Sequence, residues 1–158
     1  MIASLKRQGF DPHLRIAGKP VNDFRYPAAI TGLVERLDLE DNVTFDGYVT
    51  DVPSWLQNID ILISNSYWEG QPVSLLEGMA SSCYCLSHHW EGAEEILPKE
   101  NLYISETELQ DKIIEYKDFS SEEKLEKQAS LRDIAINKFD IEKTKARIRS
   151  VIDALGSS

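Results

Sequence analysis

Cysteine and long apolar runs are scarce in this sequence. Its only two cysteines, Cys83 and Cys85, are two positions apart in a segment that we interpret as a strand. A disulfide between them is sterically unfavourable, so we expect two reduced, structural thiols in the core. No apolar stretch approaches the roughly 20 residues that span a bilayer, and the first residues lack the apolar core of a signal peptide. These absences lead us to expect a cytoplasmic protein with no transmembrane segment.

Positive charge is scarce as well. Lys and Arg together number 17 against 27 Asp and Glu, which gives a formal net charge of −10. Nucleic acids and anionic membranes require a basic face, so neither is expected as a partner. The 158 residues, 42% of them hydrophobic, are enough for one globular domain with a sizeable core.

Strand and helix patterns alternate along the chain. The predicted strands are residues 13–17, 43–45, 60–64, 83–86 and 101–104. The predicted helices are residues 1–8, ended by Gly9, then 26–37, 53–58, 72–80, 106–116, 121–137 and 140–155. This alternation predicts an α/β fold with a doubly wound, Rossmann-like parallel sheet.

The stretch from Ser64 to Ala80 carries the most informative pattern. It leaves an apolar strand through a Gly-containing turn and enters a helix for which Pro72 suits the first position. Such a turn leaves the N–H groups of Val73 and Ser74 unpaired beyond the end of the strand. That arrangement suits a phosphate or another anion.

Two carboxylates bracket this anion site, Glu69 in the turn and Glu77 on the helix, with seven residues between them. Carboxylates repel phosphate but accept hydrogen bonds strongly from hydroxyl groups. A nucleotide sugar carries hydroxyl groups on both sides of its phosphates, so this pattern indicates a ligand of that kind. By residue type alone, both would more often be solvated surface groups.

The run from Glu69 to Ala80, Glu-Gly-Gln-Pro-Val-Ser-Leu-Leu-Glu-Gly-Met-Ala, resembles the Glu-x7-Glu signature of GT-B glycosyltransferases, specifically the large retaining family 4, glycosyl transferases group 1. The segment Trp90 to Leu97 resembles that family's Gly-Gly-x-x-Glu-Ile-Val in a divergent form. The resemblance covers nearly the whole chain and implies a GT-B carboxyl-terminal domain that lacks its first strand. It implies a single domain of residues 1–158, with an α/β core of residues 1–117 and a helical segment of residues 118–158.

The resemblance also implies a function and a set of site residues. The chain would be the donor-binding domain of a retaining, hexosyltransferase-type enzyme, inactive alone. It would transfer sugar from a UDP- or GDP-sugar to an acceptor sugar or lipid that an absent amino-terminal domain binds, without a metal or other cofactor. The implied nucleotide-sugar-binding residues are Gly18, Tyr48, Val49, Glu69, Gly70, Gln71, Val73, Ser74 and Glu77, with Glu69 also catalytic.

These residues would have distinct roles. Glu69 would face the hydroxyls of the transferred sugar, and Gly70 and Gln71 would shape the turn beside it. Val73 and Ser74 would present N–H groups to the phosphates, and Glu77 would bind the ribose. Gly18, Tyr48 and Val49 would line the base.

Other interpretations stay open from the sequence. His88 and His89, with Glu91 close by, suggest a metal, but no further ligand stands at a recognised spacing. One of these histidines could contact the sugar or act as an acid or base, although a role as polar loop residues is favoured. For the whole chain, the alternatives are a non-catalytic nucleotide-sugar or sugar-phosphate binding module and a phosphate-binding interaction domain.

The implied lack of a first strand leads to a prediction about the sheet. In the family that strand lies between the strands that correspond here to residues 13–17 and 60–64. Buried, unpaired backbone groups are costly, so we expect these two strands to pair directly and close a five-stranded sheet. The alternative is a strand supplied by another chain, which would make a homodimer.

Overall fold

A computed structural model of the chain describes residues 1–19 and 25–156. The fold is α/β, and all the predicted strands and helices are present, with bounds that differ by a few residues. In chain order the elements are α1 (Ile2–Arg7), β1 (Leu14–Ala17), α2 (Arg25–Arg36), β2 (Val43–Gly47), α3 (Val52–Leu56), β3 (Ile61–Ser64), α4 (Val73–Ala80), β4 (Tyr84–His88), β5 (Leu102–Tyr103), α5 (Glu106–Asp118), α6 (Ser121–Phe139) and α7 (Ile141–Gly156). Single-turn 3-10 helices at Glu40–Asn42, Ala93–Glu95 and Lys99–Asn101 were not predicted.

The strands form two parallel sheets, one of β1 and β2 and one in the order β3-β4-β5. The prediction of parallel pairing is therefore confirmed. The prediction of one closed five-stranded sheet is wrong for the described residues, because β1 does not pair with β3. The physical reason is that the residue pattern within a strand does not specify which other strand lies beside it.

Contacts within the chain define two compact units, Met1–Trp55 and Leu56–Ser158. In the second unit, α6 packs against α4, and Arg132 Nε donates a 3.1 Å hydrogen bond to the carbonyl of Ala80. Much of the predicted helical segment thus shares a unit with the central helix. The predicted single domain, with a core of residues 1–117 and a helical segment of residues 118–158, stays a prediction.

In the first unit, the buried side chain of Asn42 joins three segments. Its Nδ2 donates to Asp11 Oδ1 at 2.8 Å and to the carbonyl of Pro12 at 3.0 Å. Its Oδ1 accepts from Lys6 Nζ at 2.8 Å. Because both ends of the amide are paired, its burial is compensated. The predicted helix end is also confirmed, since Gly9 follows α1 with φ +87° and donates to the carbonyl of Lys6.

In the second unit, β4 is the middle strand and its first four residues are buried. Cys83 and Cys85 are buried free thiols, as predicted. Desolvation raises the pKa of Cys83 to about 11 and raises the pKa of Cys85 above its ordinary value. Both thiols are therefore protonated, apolar core groups at neutral pH.

Helix α4 lies against the sheet through Gly78. A Cβ atom at this position would approach Leu62 Cδ2 to 2.4 Å and Cys85 Sγ to 3.2 Å. Leu75 and Met79 are buried on the same helix. Only glycine allows the helix this close to β3 and β4, so Gly78 sets the position of the turn that precedes α4.

Helix α7 carries an exposed apolar stripe, formed by Ile141, Ile148, Val151, Ile152 and Leu155. Within the described residues, no helix combines the length and the apolar character needed to cross a membrane.

Candidate functional site

The connection between β3 and α4 spans residues 65–72. Helix α4 begins at Val73, and Pro72 is its N-cap residue rather than its predicted first residue. The carbonyl of Pro72 accepts from the N–H groups of Leu75 at 3.0 Å and Leu76 at 3.2 Å. Pro72 is buried, so the start of the helix is anchored in the unit. The turn therefore has a fixed position at the carboxyl end of β3.

The two predicted phosphate-binding N–H groups differ in this structure. The N–H of Val73 donates to the carbonyl of Gln71 at 2.9 Å. The N–H of Ser74 finds no acceptor among the described residues, and Ser74 is exposed. The N–H of Ser74 is thus free at the start of the helix, where the helix dipole favours an anion. The N–H of Val73 is hydrogen-bonded within the turn.

The two carboxylates of the motif differ in exposure. Glu69 is half-buried in the loop and Glu77 is exposed on α4. Neither forms a hydrogen bond or ion pair with another residue in the described part of the chain. Both are consequently available as acceptors for ligand hydroxyls. Gly70 and Gln71, which lie between them, are exposed.

An aromatic cluster surrounds the first half of this loop. The ring centroids of Tyr67 and His88 are 4.4 Å apart, and the rings of His88 and Tyr103 are nearly perpendicular with centroids 5.7 Å apart. The hydroxyl of Tyr103 hydrogen-bonds the carbonyl of Ser64 at 3.1 Å and Asn65 Oδ1 at 3.0 Å. The cluster therefore fixes the loop to the carboxyl ends of β4 and β5.

Sequence reasoning missed this cluster because its residues are far apart in the chain. A usable signal was nevertheless present. Tyr67, His88 and Tyr103 each stand at or just after the end of one of three successive strands. The carboxyl ends of parallel strands meet at one edge of a sheet, which is where ligands bind in open α/β folds.

His89 has a different environment from its neighbour His88. Its Nε2 lies 3.3 Å from Glu94 Oε1, and Lys99 Nζ lies 3.5 Å from Glu94 Oε2. These three residues line a surface depression of about 640 Å³ together with Leu102, Ile104, Glu108, Asp111, Lys112 and Glu115. None of the predicted site residues lines it. Across residues 1–19 and 25–156, no group of three or more His, Cys, Asp or Glu side chains could hold a metal ion.

The remaining predicted site residues lie together in the first unit. Gly18 directly follows β1 and Gly47 is the last residue of β2, with positive φ angles of 128° and 64°. The N–H of Gly18 donates to the carbonyl of Gly47 at 2.7 Å. Tyr48 is exposed, with Lys19 Nζ 5.3 Å from its ring centroid, and Val49 is half-buried.

Arg15, on β1, is engaged within this same unit. Its guanidinium forms two hydrogen bonds with Asp46, of 3.0 and 2.8 Å. Asp46 lies where the β1–β2 register shifts, and it also accepts from Trp55 Nε1 at 3.0 Å. The hydrogen bonds from Arg15 lower the pKa of Asp46, although partial burial opposes them. This arginine is therefore held by a structural partner.

Comparisons with known proteins identify the family of this chain and structures of similar fold. The profile of the family described as glycosyl transferases group 1 matches residues 1–117. Protein CapJ from Staphylococcus aureus is 25% identical over 154 residues, which are 92% of this chain and 38% of CapJ. HepE from Anabaena, solved in complex with UDP and glucose, superposes with a TM-score of 0.77 at 20% identity, over 90% of this chain and 40% of HepE. Sucrose-phosphate synthase from Thermosynechococcus elongatus superposes with a TM-score of 0.82 at 17% identity, over 99% of this chain and 41% of the synthase.

These matches define the fold and the family. The parallel sheets with their helices correspond to the Rossmann-like domains of GT-B glycosyltransferases. The chain spans 38% of the length of CapJ and 40% of the length of HepE. Since the family profile matches well over half of its residues, the chain belongs to the glycosyl transferases group 1 family.

Proposed function

We propose that this chain is the carboxyl-terminal donor-binding domain of a retaining, family 4, hexosyltransferase-type glycosyltransferase. It binds a UDP- or GDP-sugar, and the sugar passes to an acceptor sugar or lipid held by an amino-terminal domain. Membership of the family and the neighbour solved with UDP and glucose support this assignment. The observation that carries it is the β3–α4 connection, where two unpaired carboxylates flank a free N–H group.

Within this proposal, different residues of the β3–α4 connection bind different parts of the nucleotide-sugar donor. Glu69, half-buried and unpaired, accepts hydrogen bonds from the hydroxyls of the transferred sugar. The N–H of Ser74 donates to the diphosphate. The N–H of Val73 also donates to the diphosphate, after it releases the carbonyl of Gln71. Glu77 accepts from the ribose hydroxyls. Gly70 leaves room in the turn for close approach of the sugar.

The base is bound by residues of the first unit. We assign Gly18, Tyr48 and Val49 to this role. The exposed ring of Tyr48 offers an apolar face, and the backbone that follows β1 and β2 offers main-chain donors and acceptors.

In the proposed reaction, the bond between the sugar's anomeric carbon and the diphosphate oxygen breaks, and a bond from that carbon to an acceptor hydroxyl oxygen forms. The hydroxyl proton is released, and the nucleoside diphosphate leaves with the bonding electron pair. Stabilising the departing negative charge is the main electrostatic task. The residues described here contribute the N–H of Ser74 to that task.

A second candidate function is a non-catalytic module that binds a nucleotide sugar or sugar phosphate. One observation favours it. Residues 64–80 contain no Lys or Arg, and Arg15 is held by Asp46. Turnover of a nucleotide sugar by the whole protein would decide against this alternative.

Alanine substitutions at the two carboxylates test the proposed function. We expect Glu77→Ala to weaken the binding of both UDP and UDP-glucose by about 1.5–3 kcal/mol, because a charged hydrogen bond to the ribose is lost. Glu69→Ala should weaken UDP-glucose alone. Calorimetric titration at millimolar ligand measures both, with Glu126→Ala on the exposed face of α6 as the control. Equal losses for both ligands in both variants would contradict the assignment.

A further inference from the structure

His88 is the last residue of β4 and its ring is held from two sides. Tyr67 lies across it at 4.4 Å with the planes tilted by 54°, and Tyr103 meets it nearly perpendicularly at 5.7 Å. Tyr103 is itself fixed by its hydroxyl to the carbonyl of Ser64. The orientation of the imidazole is therefore set by residues from the ends of three strands.

The two ring nitrogens of His88 have different environments. Nδ1 is shielded from solvent and has no hydrogen-bond partner. Nε2 also has no partner among the described residues but is not shielded, so it reaches solvent. A buried N–H without an acceptor is costly. Of the two neutral tautomers, the one with its proton on Nε2 avoids that cost and presents an N–H donor to the solvent.

This donor lies close to the loop that carries Glu69. Tyr67, which contacts the imidazole, precedes Glu69 by two residues, a span of at most about 7 Å along the backbone. Glu69 is an acceptor only, and His88 Nε2 is a donor. Together they suit a polyhydroxylated ligand, whose hydroxyls can donate to one group while accepting from the other.

Building on the proposed function, we propose that His88 is a specificity-determining residue that binds the transferred sugar, donating from Nε2 to one of its hydroxyl oxygens. The motif resemblance assigns no role to this position. The contacts to Tyr67 and Tyr103 hold the ring in place, so little conformational freedom is lost on binding. The sugar, rather than the diphosphate, is the partner because Tyr67 is only two residues from Glu69 but six from Val73 and seven from Ser74.

Three substitutions separate binding from ring packing. His88→Phe keeps the aromatic contacts but removes both nitrogens. It should therefore lower the affinity for UDP-glucose about tenfold and leave the affinity for UDP unchanged. His88→Gln places an amide N–H near the original Nε2 and should retain most of the affinity. His88→Asn places its amide near Nδ1 instead and should lose affinity as His88→Phe does. His89→Phe, beside it but paired with Glu94, is the matched control.

Affinities come from NMR titration of the 158-residue chain with UDP and UDP-glucose, and thermal unfolding of each variant reports on packing. His88→Phe should not lower the unfolding midpoint, because it removes a buried, unpaired nitrogen. Wild-type affinity for UDP-glucose in both His88→Phe and His88→Asn would overturn the assignment, as would equal weakening of UDP and UDP-glucose. A wild-type chain that binds neither ligand would overturn the proposed function itself, and the role of His88 with it.

Discussion

At the residue scale, the carboxylates of the chain fall into two groups. Asp46 is paired with Arg15 and Trp55, and its role is structural. Glu69 and Glu77 have no partner among the described residues, although both lie beside a well-packed helix start. A protein stabilises a paired carboxylate through its partners, whereas an unpaired one contributes little to folding. The lack of a partner leaves Glu69 and Glu77 available to a ligand, and their place in the motif distinguishes them from other exposed carboxylates such as Glu126.

The pairing of Asp46 leads to a pH-dependent prediction. Because the hydrogen bonds from Arg15 lower its pKa, the carboxylate stabilises the fold above its ordinary pKa of about 4. That contribution is lost as the pH falls through the lowered pKa of the folded state. Asp46→Asn should therefore be less stable than wild type at neutral pH, and the difference should shrink in acid. Urea unfolding across this range measures it, and a constant difference would contradict the account.

The sequence predicted site residues where a local motif carries them, and it missed those that only the fold brings together. Glu69 and Glu77 lie in one turn and helix, so their spacing was informative. The cluster of Tyr67, His88 and Tyr103 depends on the register of β3, β4 and β5. That register is fixed by backbone pairing between strands, which no single segment encodes.

At the element scale, the close approach of α4 to the sheet depends on one glycine. Gly78→Ala would place a Cβ 2.4 Å from Leu62, so we expect a loss of about 1–3 kcal/mol in the free energy of unfolding. Gly32 is the matched control, because it lies in α2 with no atom within 4 Å of the added Cβ. Gly32→Ala should stabilise the chain by up to about 1 kcal/mol. Urea unfolding of both variants tests this, and equal effects would contradict the packing described for α4.

The elements themselves were predictable because their signals are local. Pro72 indicated where α4 begins, and Ser120 with Glu123 forms the capping box that starts α6. The pairing of β1 with β3 was not predictable in the same way. The expected five-stranded sheet needed that pairing, and it does not occur among the described residues, whereas β1 with β2 and β3 with β4 do pair.

At the scale of the whole molecule, we expect charge to limit how tightly this chain binds the proposed diphosphate ligand. The net charge is −10, and residues 64–80 supply no cation. We expect weak binding of UDP that EDTA leaves unchanged. Raising the salt concentration from about 50 to 500 mM should not weaken it, because screening reduces the repulsion between ligand and chain. Micromolar binding that EDTA abolishes would contradict this prediction.

The central claim is that the β3–α4 connection binds the nucleotide-sugar donor. Amide chemical-shift mapping during titration with UDP-glucose tests it most directly, because every described backbone N–H outside proline is a separate reporter. The account predicts that the largest changes in the second unit fall on residues 67–77 and on His88. Changes confined instead to the depression beside β5, at His89, Glu94, Lys99 and Lys112, would contradict it.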